Sequence, residues 1–135
     1  MILSVGIDSV SVERFKSWSS INATQLKKVF PEEEIAYCLK TPQLSAQRFA
    51  VRFAAREAFF KALCSMQKKA EHPFLKVCKS VKLLHTDNQV PLLEVQWSKL
   101  TSKHETAQSV ESLVVHCSLT HTCDIATAFV VIEKR

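Results

Sequence analysis

The stretch SAQRFAVRFAAREAFFKALCSMQK, residues 45–68, decides the fold of this chain. It contains no glycine or proline and is rich in alanine, arginine, glutamate and lysine, which predicts one long helix. Its apolar residues occupy most of the helix circumference: Phe49, Phe53 and Phe60 share one stripe, whereas Phe59 and Leu63 point elsewhere. A helix that is apolar nearly all round lies inside a domain. We therefore expect the remaining elements to pack around it.

The flanking segments predict short helices before this helix and strands after it. Residues 2–7 indicate a strand, and residues 11–18 and 23–30 indicate helical turns, with Ser11 as a helix cap. Pro31 and the three glutamates after it predict a helix start, because proline and carboxylates both suit the first turn. That helix should end before Pro42.

The second half of the chain predicts a sheet. Residues 80–85, 92–97, 112–120 and 125–133 indicate strands, and the polar residues 98–108 are compatible with a helix. This order predicts an α+β fold, a mostly antiparallel sheet packed around the long central helix. We expect residues 1–135 to form a single domain, since 135 residues leave no room for a second core.

Composition narrows the function. Gly6 is the single glycine in the sequence. A P-loop or a dinucleotide-binding loop needs several glycines, so both are excluded. The net charge of +5 suits an anionic partner without choosing one. No apolar run is long enough to cross a bilayer and no signal peptide is recognisable, so we expect a soluble, cytoplasmic protein. The five cysteines form no paired motif and are expected to be reduced; zinc at Cys117, His121 and Cys123 is a weaker alternative.

The long helix carries one unusual face. One face carries four residues at helical spacing: Ala50, Ala54, Glu57 and Lys61. Two small side chains on this face are thus followed by a carboxylate and an ammonium group. The simplest interpretation is a solvated salt bridge between Glu57 and Lys61. However, a carboxylate beside a core needs cations or strong donors, and a divalent metal would supply what Lys61 does not.

Asp8 and two histidines are the other candidates. Asp8 directly follows the first strand, where it could cap a turn or project towards Glu57. In a magnesium site, the ligands that the protein itself contributes are usually two carboxylates. His116 and Ser118 alternate along one strand face and His121 lies just beyond; a structural role for such a histidine is the more common one.

Three segments together resemble a known family. They are Gly6-Ile7-Asp8 near the start, residues 52–62 (RFAAREAFFKA) in the long helix, and residues 116–121 (HCSLTH) near the end. They look like the signatures of holo-[acyl-carrier-protein] synthase, the small type of 4′-phosphopantetheinyl transferase. The resemblance covers nearly the whole chain, and the helix motif is its most specific part. One departure is that residues 63–67 (LCSMQ) stand where the family usually has a glycine-rich turn.

The resemblance implies a reaction and a set of roles. The family transfers the phosphopantetheine arm of coenzyme A to a serine of apo-acyl carrier protein with Mg²⁺, releasing adenosine 3′,5′-bisphosphate, in fatty acid biosynthesis. It implies Asp8 and Glu57 as metal carboxylates, Lys61 beside the reacting phosphate and His116 in the coenzyme A site. The serine proton would pass to a metal-bound hydroxide or, through a water, to Glu57.

The resemblance also implies partners and assembly. Acyl carrier proteins are acidic as a class, and Arg14 matches the arginine at which the carrier docks. Arg52, nearer the reactive end of the helix, is expected to contact a coenzyme A phosphate. Members are typically homotrimers with sites at subunit boundaries, so we expect a homotrimer.

Two other functions compete with this one. Arg48, Arg52 and Arg56 on one helical stripe, with Lys68 and Lys69, would suit a basic nucleic-acid-binding module. No RNA-binding signature accompanies them, and aromatic residues do not interleave with them. The other alternative is an inactive homologue that keeps the fold.

Overall fold

The computed structural model describes residues 1–101 and 110–135. In chain order, its regular elements are β1 (Ile2–Ser11), α1 (Ala23–Leu26), α2 (Glu32–Leu39), α3 (Ser45–Gln67), α4 (Phe74–Lys79), β2 (Val81–His85), β3 (Pro91–Val95), β4 (Leu113–His121) and β5 (Ile125–Lys134). The predicted α+β fold is confirmed, with α3 as the long central helix. The polar stretch 98–108 begins in a 3₁₀ turn at Trp97–Lys99, and its remainder lies mostly outside the described residues. No helix in the described ranges is long and apolar enough to span a membrane.

The strands form two antiparallel sheets. The larger sheet has the order β1-β5-β4, so β5 is central and β1 and β4 are its edges. The smaller sheet is the hairpin of β2 and β3. Asp8 lies opposite Ala128, and Ala128 lies opposite Leu119, which places all three in one row across the larger sheet.

Alternation along β5 defines the two faces of the larger sheet. Ala126, Ala128, Val130 and Ile132 are fully buried, so this inner face packs on α3. Phe129, between them, is 42% exposed and points to the outer face. Because side chains alternate along a strand, Asp8 shares the inner face with its partner Ala128.

Gly6 allows β1 and α3 to approach closely. A Cβ at this position would lie 1.9 Å from the carbonyl oxygen of Ala58 and 2.8 Å from the backbone nitrogen of Ala62. Both atoms belong to the helix backbone, so only glycine fits here without moving the helix. On the helix side, Ala58 and Ala62 are fully buried. Asp8, two residues after Gly6, is therefore held close against α3.

The segment after β1 differs from the prediction. The helix expected over residues 11–18 is replaced by two 3₁₀ turns, Val12–Phe15 and Trp18–Ser20, and Ser11 makes no side-chain cap. Phe15 and Trp18, three residues apart, stack with ring centroids 4.6 Å apart and both contact Phe53 of α3. Phe15 ends the first turn and Trp18 begins the second, so the break between the two turns brings both rings onto Phe53.

The end of α3 shows what replaces the glycine-rich turn. The helix continues through residues 63–67, and Lys68 then adopts a left-handed conformation with φ of 60°. This is the position at which glycine commonly ends a helix. In this chain, Lys68 thus ends the helix in the left-handed conformation that glycine commonly adopts there.

Candidate active site

The first half of the site is an ion pair between β1 and α3. Lys61 Nζ donates to Asp8 Oδ1 at 2.8 Å and to the carbonyl oxygen of Ile7 at 3.0 Å. The Asp8 side chain is 13% exposed and that of Lys61 52%. The alternative of a solvated salt bridge between Lys61 and Glu57 is not seen among the ion pairs of the described residues, because Asp8 is held close enough to bind the ammonium instead.

Glu57 lies close enough to Asp8 for the two carboxylates to repel each other. Burial raises the pKa of Glu57, the negative charge of Asp8 raises it further, and the charges of Lys61 and Arg14 oppose the rise. A carboxyl with a raised pKa is one whose ionised form lacks compensation. The predicted convergence of Asp8 and Glu57 thus agrees with the structure.

The Asp8 and Glu57 pair fits a divalent cation. Asp8 Oδ2 is buried, and it has no hydrogen-bond partner among the residues that the structure describes. A buried carboxylate oxygen without a donor is costly, and a metal ion would satisfy it while relieving the repulsion at Glu57. Within residues 1–101 and 110–135, no group of three or more His, Cys, Asp or Glu side chains could hold a metal. Other oxygen ligands would have to complete the coordination, and the zinc alternative finds no support in the described ranges.

Arg14 lies beside this pair and is exposed. Its guanidinium lies 4.8 Å from the ring centroid of Phe53 and 5.5 Å from that of Phe15. Its charge acts on Glu57, so it lies near the carboxylates. Arg14 thus lies close to the two carboxylates, and its expected role in docking the carrier stays a prediction.

Two of the three arginines in the stripe of α3, Arg52 and Arg56, are buried, so the stripe does not form the basic surface that a nucleic-acid-binding module would need. Arg56 is fully buried, and its two Nη atoms donate to both oxygens of Glu34 at 3.0 and 2.6 Å. Arg52 is 4% exposed, and its Nε lies 3.5 Å from Glu34 Oε1. Glu34 also accepts from the backbone N–H of Leu83, so one carboxylate joins α2, α3 and β2. The sequence predicted Glu34 only as a charge at a helix start.

A second feature lies at the opposite edge of the larger sheet. A cavity of about 460 Å³ opens there, with a wall that includes Tyr37, Arg48, Arg52, His85 and His121. The guanidinium groups of Arg48 and Arg52 stack on the ring of Tyr37, at 4.2 and 4.5 Å from its centroid. Burial, followed by the positive charge of Arg52, lowers the pKa of His85. This cavity is cationic and partly aromatic, which suits an anion with a flat ring.

His116 lies away from both features. It lies opposite Val131 on the outer face of the sheet, and its Nε2 is 2.7 Å from Glu133 Oε2. Asp8 is on the inner face, so one chain does not bring His116 to the carboxylates. The histidine that lines the cavity with Arg52 is His121. The sequence pattern gave His121 no role in a coenzyme A site, and the coenzyme A role implied for His116 stays a prediction.

Comparison with known proteins identifies the class. Residues 4–125 match the model of the 4′-phosphopantetheinyl transferase superfamily. Holo-[acyl-carrier-protein] synthase of Treponema pallidum (strain Nichols) is 37% identical over 133 residues, covering 98% of this chain and 97% of the relative. The chain belongs to this superfamily, and within it to the holo-[acyl-carrier-protein] synthases.

Solved structures agree with this assignment. The structure of the acyl carrier protein synthase of Mycobacterium tuberculosis is 25% identical with a TM-score of 0.66, and the alignment covers 100% of both chains. The Chronobacterium ammoniagenes ACPS–CoA complex is 22% identical with a TM-score of 0.78, covering 98% of this chain and 97% of the other. The predicted family, fold and enzyme class are therefore confirmed.

Proposed function

We propose that this chain transfers the 4′-phosphopantetheine arm of coenzyme A to a serine of apo-acyl carrier protein in a Mg²⁺-dependent reaction. The products are holo-acyl carrier protein and adenosine 3′,5′-bisphosphate, and the reaction serves fatty acid biosynthesis in the cytoplasm. One observation carries the proposal, in a chain of this family: Asp8 Oδ2 is buried beside Glu57, whose pKa is raised, and the described part of the chain offers this oxygen no hydrogen-bond donor.

Asp8 and Glu57 would hold the cation, and Lys61 would serve the reacting phosphate. A divalent cation held there would neutralise pyrophosphate oxygens as charge develops on the leaving group. Lys61 is half exposed while its Nζ remains bound to Asp8, so its charge faces solvent beside the carboxylates. A substrate phosphate that approached Asp8 would meet this ammonium directly.

Coenzyme A would place its nucleotide end in the cavity of Arg48, Arg52 and His121. The two guanidinium groups, held on the ring of Tyr37, and the imidazole suit phosphate groups. In this arrangement Arg52 keeps its expected contact with a coenzyme A phosphate, and His121 joins it in the coenzyme A site. His116, on the outer face, would contribute to a coenzyme A site only if another copy presents it there.

The distribution of these features supports the proposal of a homotrimer, the assembly that the family resemblance implies. The carboxylates lie at the β1 edge of the sheet and the cavity lies at the β4 edge. The outer face also exposes apolar side chains: Val5 is 52%, Ile7 58% and Phe129 42% exposed. We propose that copies cover these faces and that the cavity of one copy meets the carboxylates of the next, as the boundary sites of this family imply.

The test is a mass-shift assay with apo-acyl carrier protein and coenzyme A. A gain of one phosphopantetheine that requires Mg²⁺ is the expected result. Calorimetric titration of Mg²⁺ with coenzyme A present should lose its signal in Glu57→Gln and keep it in Glu94→Gln, an exposed glutamate on β3. Metal binding that is unchanged in Glu57→Gln would remove the proposed site, and a folded wild type without transfer would support the inactive homologue.

The nucleic-acid-binding alternative loses its main support, because Arg52 and Arg56 are buried. It is still tested directly. Apo-acyl carrier protein and a mixed single-stranded RNA are titrated against the same labelled protein at one salt concentration, since both complexes weaken with salt. Tighter binding of RNA than of the carrier, with no transfer, would overturn the transferase proposal.

A further inference from the structure

A cavity that the proposed reaction does not use lies beside α4. Its volume is about 610 Å³, and four of its lining residues are lysines, Lys28, Lys76, Lys79 and Lys99. We call these four residues and their cavity the lysine pocket. A smaller cavity of about 250 Å³ shares Lys79 and Lys99 and adds Lys27 and Lys82. Six lysines from four parts of the chain thus lie around two adjoining cavities.

The charge of the lysine pocket is uncompensated in the described part of the chain. None of the described residues lining either cavity is a carboxylate. The outer lysines have partners: Lys27 lies 3.4 Å from Glu32, and Lys82 lies 4.0 Å from Glu33. Within residues 1–101 and 110–135, Lys28, Lys79 and Lys99 form no ion pair. Clustered like charges repel each other, and an anionic partner would offset this repulsion by attracting the lysines.

The lysine pocket also has an apolar part. Leu75 is 47% exposed, and the exposed ring of Pro73 lies on the same rim. An exposed leucine among cations suits a partner that carries an apolar side chain between acidic groups. Such a pattern is typical of one face of an acidic amphipathic helix.

The lysine pocket is connected to the reactive end of α3 by packed rings. Phe74, the residue before Leu75, lies 5.4 Å from Phe60 and 5.6 Å from Phe53, between ring centroids. Phe60 directly precedes Lys61, and Arg14 stacks on Phe53. Arg14 and the lysine pocket therefore flank one cluster of packed rings, in which Phe53 is buried and Phe60 and Phe74 are half-buried.

We propose that the lysine pocket is a second anchor for the acidic carrier protein, reached across Phe74 from Arg14. This inference rests on the proposed function, which supplies the carrier as substrate. The anchor would hold carboxylates of the carrier around Lys28, Lys76, Lys79 and Lys99, with an apolar side chain on Leu75. It would speed and orient docking without touching the reacting atoms.

Protein fits this surface better than nucleic acid. Among the described lining residues, the cations are lysines, which act as point charges, and no arginine offers a forked contact to phosphate. In the same described set, Phe30 is the aromatic residue, and it is 2% exposed. A buried ring gives a base nothing to stack on.

The experiment compares two charge reversals at helix ends. Lys79 is the last residue of α4, and Lys40 follows the last residue of α2, so Lys79→Glu and Lys40→Glu disturb similar helix ends and change the net charge equally. Binding of apo-acyl carrier protein is measured at low salt by calorimetry. We expect about fivefold weaker binding in Lys79→Glu, about 25-fold in Lys76→Glu/Lys79→Glu, and less than twofold in Lys40→Glu. Coenzyme A binding should be unchanged in all three variants.

The outcomes separate the two proposals. A folded wild type that neither binds nor modifies the carrier contradicts the proposed function. A wild type that modifies the carrier, with Lys79→Glu binding it as tightly as Lys40→Glu does, refutes the lysine pocket as an anchor and leaves the transferase proposal standing. The lysine pocket would also be refuted as a carrier anchor if binding of single-stranded RNA depended on these lysines while carrier binding did not. Should Lys79→Glu lose its fold, Lys28→Glu, at an exposed position after α1, is measured in its place.

Discussion

Replacing Gly6 with alanine should separate the long helix from the first strand. The added Cβ would lie 1.9 Å from the carbonyl oxygen of Ala58 and 3.0 Å from its carbonyl carbon. Both atoms belong to the backbone of α3, so no side-chain rotation relieves the clash. Ordinary contact needs about 3.5 Å, so the helix must retreat by more than about 1 Å.

The cost of this shift follows from what packs there. Ala54, Ala58 and Ala62 are fully buried on α3. A gap of about 1 Å forfeits roughly a quarter to a half of the dispersion attraction across the contact. Overpacking of this kind costs about 1–3 kcal/mol or more, and we expect about 3 kcal/mol because only backbone can move. For a chain of this size, that lowers the melting temperature by about 10 °C.

The assay is thermal and urea unfolding of Gly6→Ala against Ser4→Ala. Ser4 is a buried residue on the same face of β1, and its hydroxyl has no hydrogen-bond partner within residues 1–101 and 110–135. Ser4→Ala should therefore be nearly neutral. Where Gly6→Ala remains folded, it should also bind Mg²⁺ more weakly, because Asp8 moves away from Glu57. A Gly6→Ala variant as stable as wild type would show that close approach at Gly6 does not hold the helix in place.

Three further predictions concern the charges of α2 and α3. Glu34→Gln should cost about 3–5 kcal/mol in urea unfolding, because it leaves the buried guanidinium of Arg56 without its carboxylate; a loss below about 1 kcal/mol would show that this pair does not hold α2 to α3. Glu57→Gln should raise the melting temperature of the metal-free protein at pH 7, because burial and Asp8 raise the pKa of Glu57 and so make its ionised form destabilising. The gain should disappear as the pH falls below the ordinary range of a carboxyl group, where the glutamate is protonated whether folded or unfolded, and a gain that persists there would point to packing instead. Lys61→Met should lower turnover strongly with little change in melting temperature, because the side chain is half exposed; a collapse in melting would make Lys61 mainly the structural partner of Asp8.

The central helix and the two candidate site carboxylates could be predicted because each depends on a local pattern in the sequence. Residues 45–68 carry no helix breaker, and Asp8 directly follows an apolar run. The partner of Lys61 depended on something else. Helical spacing compares Lys61 only with its neighbours along α3, whereas Asp8 comes from a strand 53 residues earlier in the chain.

The arginines show the same limit. Periodicity placed Arg48, Arg52 and Arg56 on one stripe, but it does not tell which neighbour covers that stripe. The cover is α2, and its Glu34 pairs with Arg56 across 22 positions in the chain. The choice between His116 and His121 likewise depended on which sheet face each occupies, and that follows from a register set by β5.

The opposite placement of the carboxylates and the cavity across one sheet has a genetic consequence. In an assembly where each site draws on two copies, a chain that lacks Glu57 still lends its cavity, and a chain that lacks Arg52 still lends its carboxylates. Two alleles that are each inactive alone would then restore some activity when expressed together. A chain that lacks both residues would instead spoil the sites of normal partners, so its defect would be dominant.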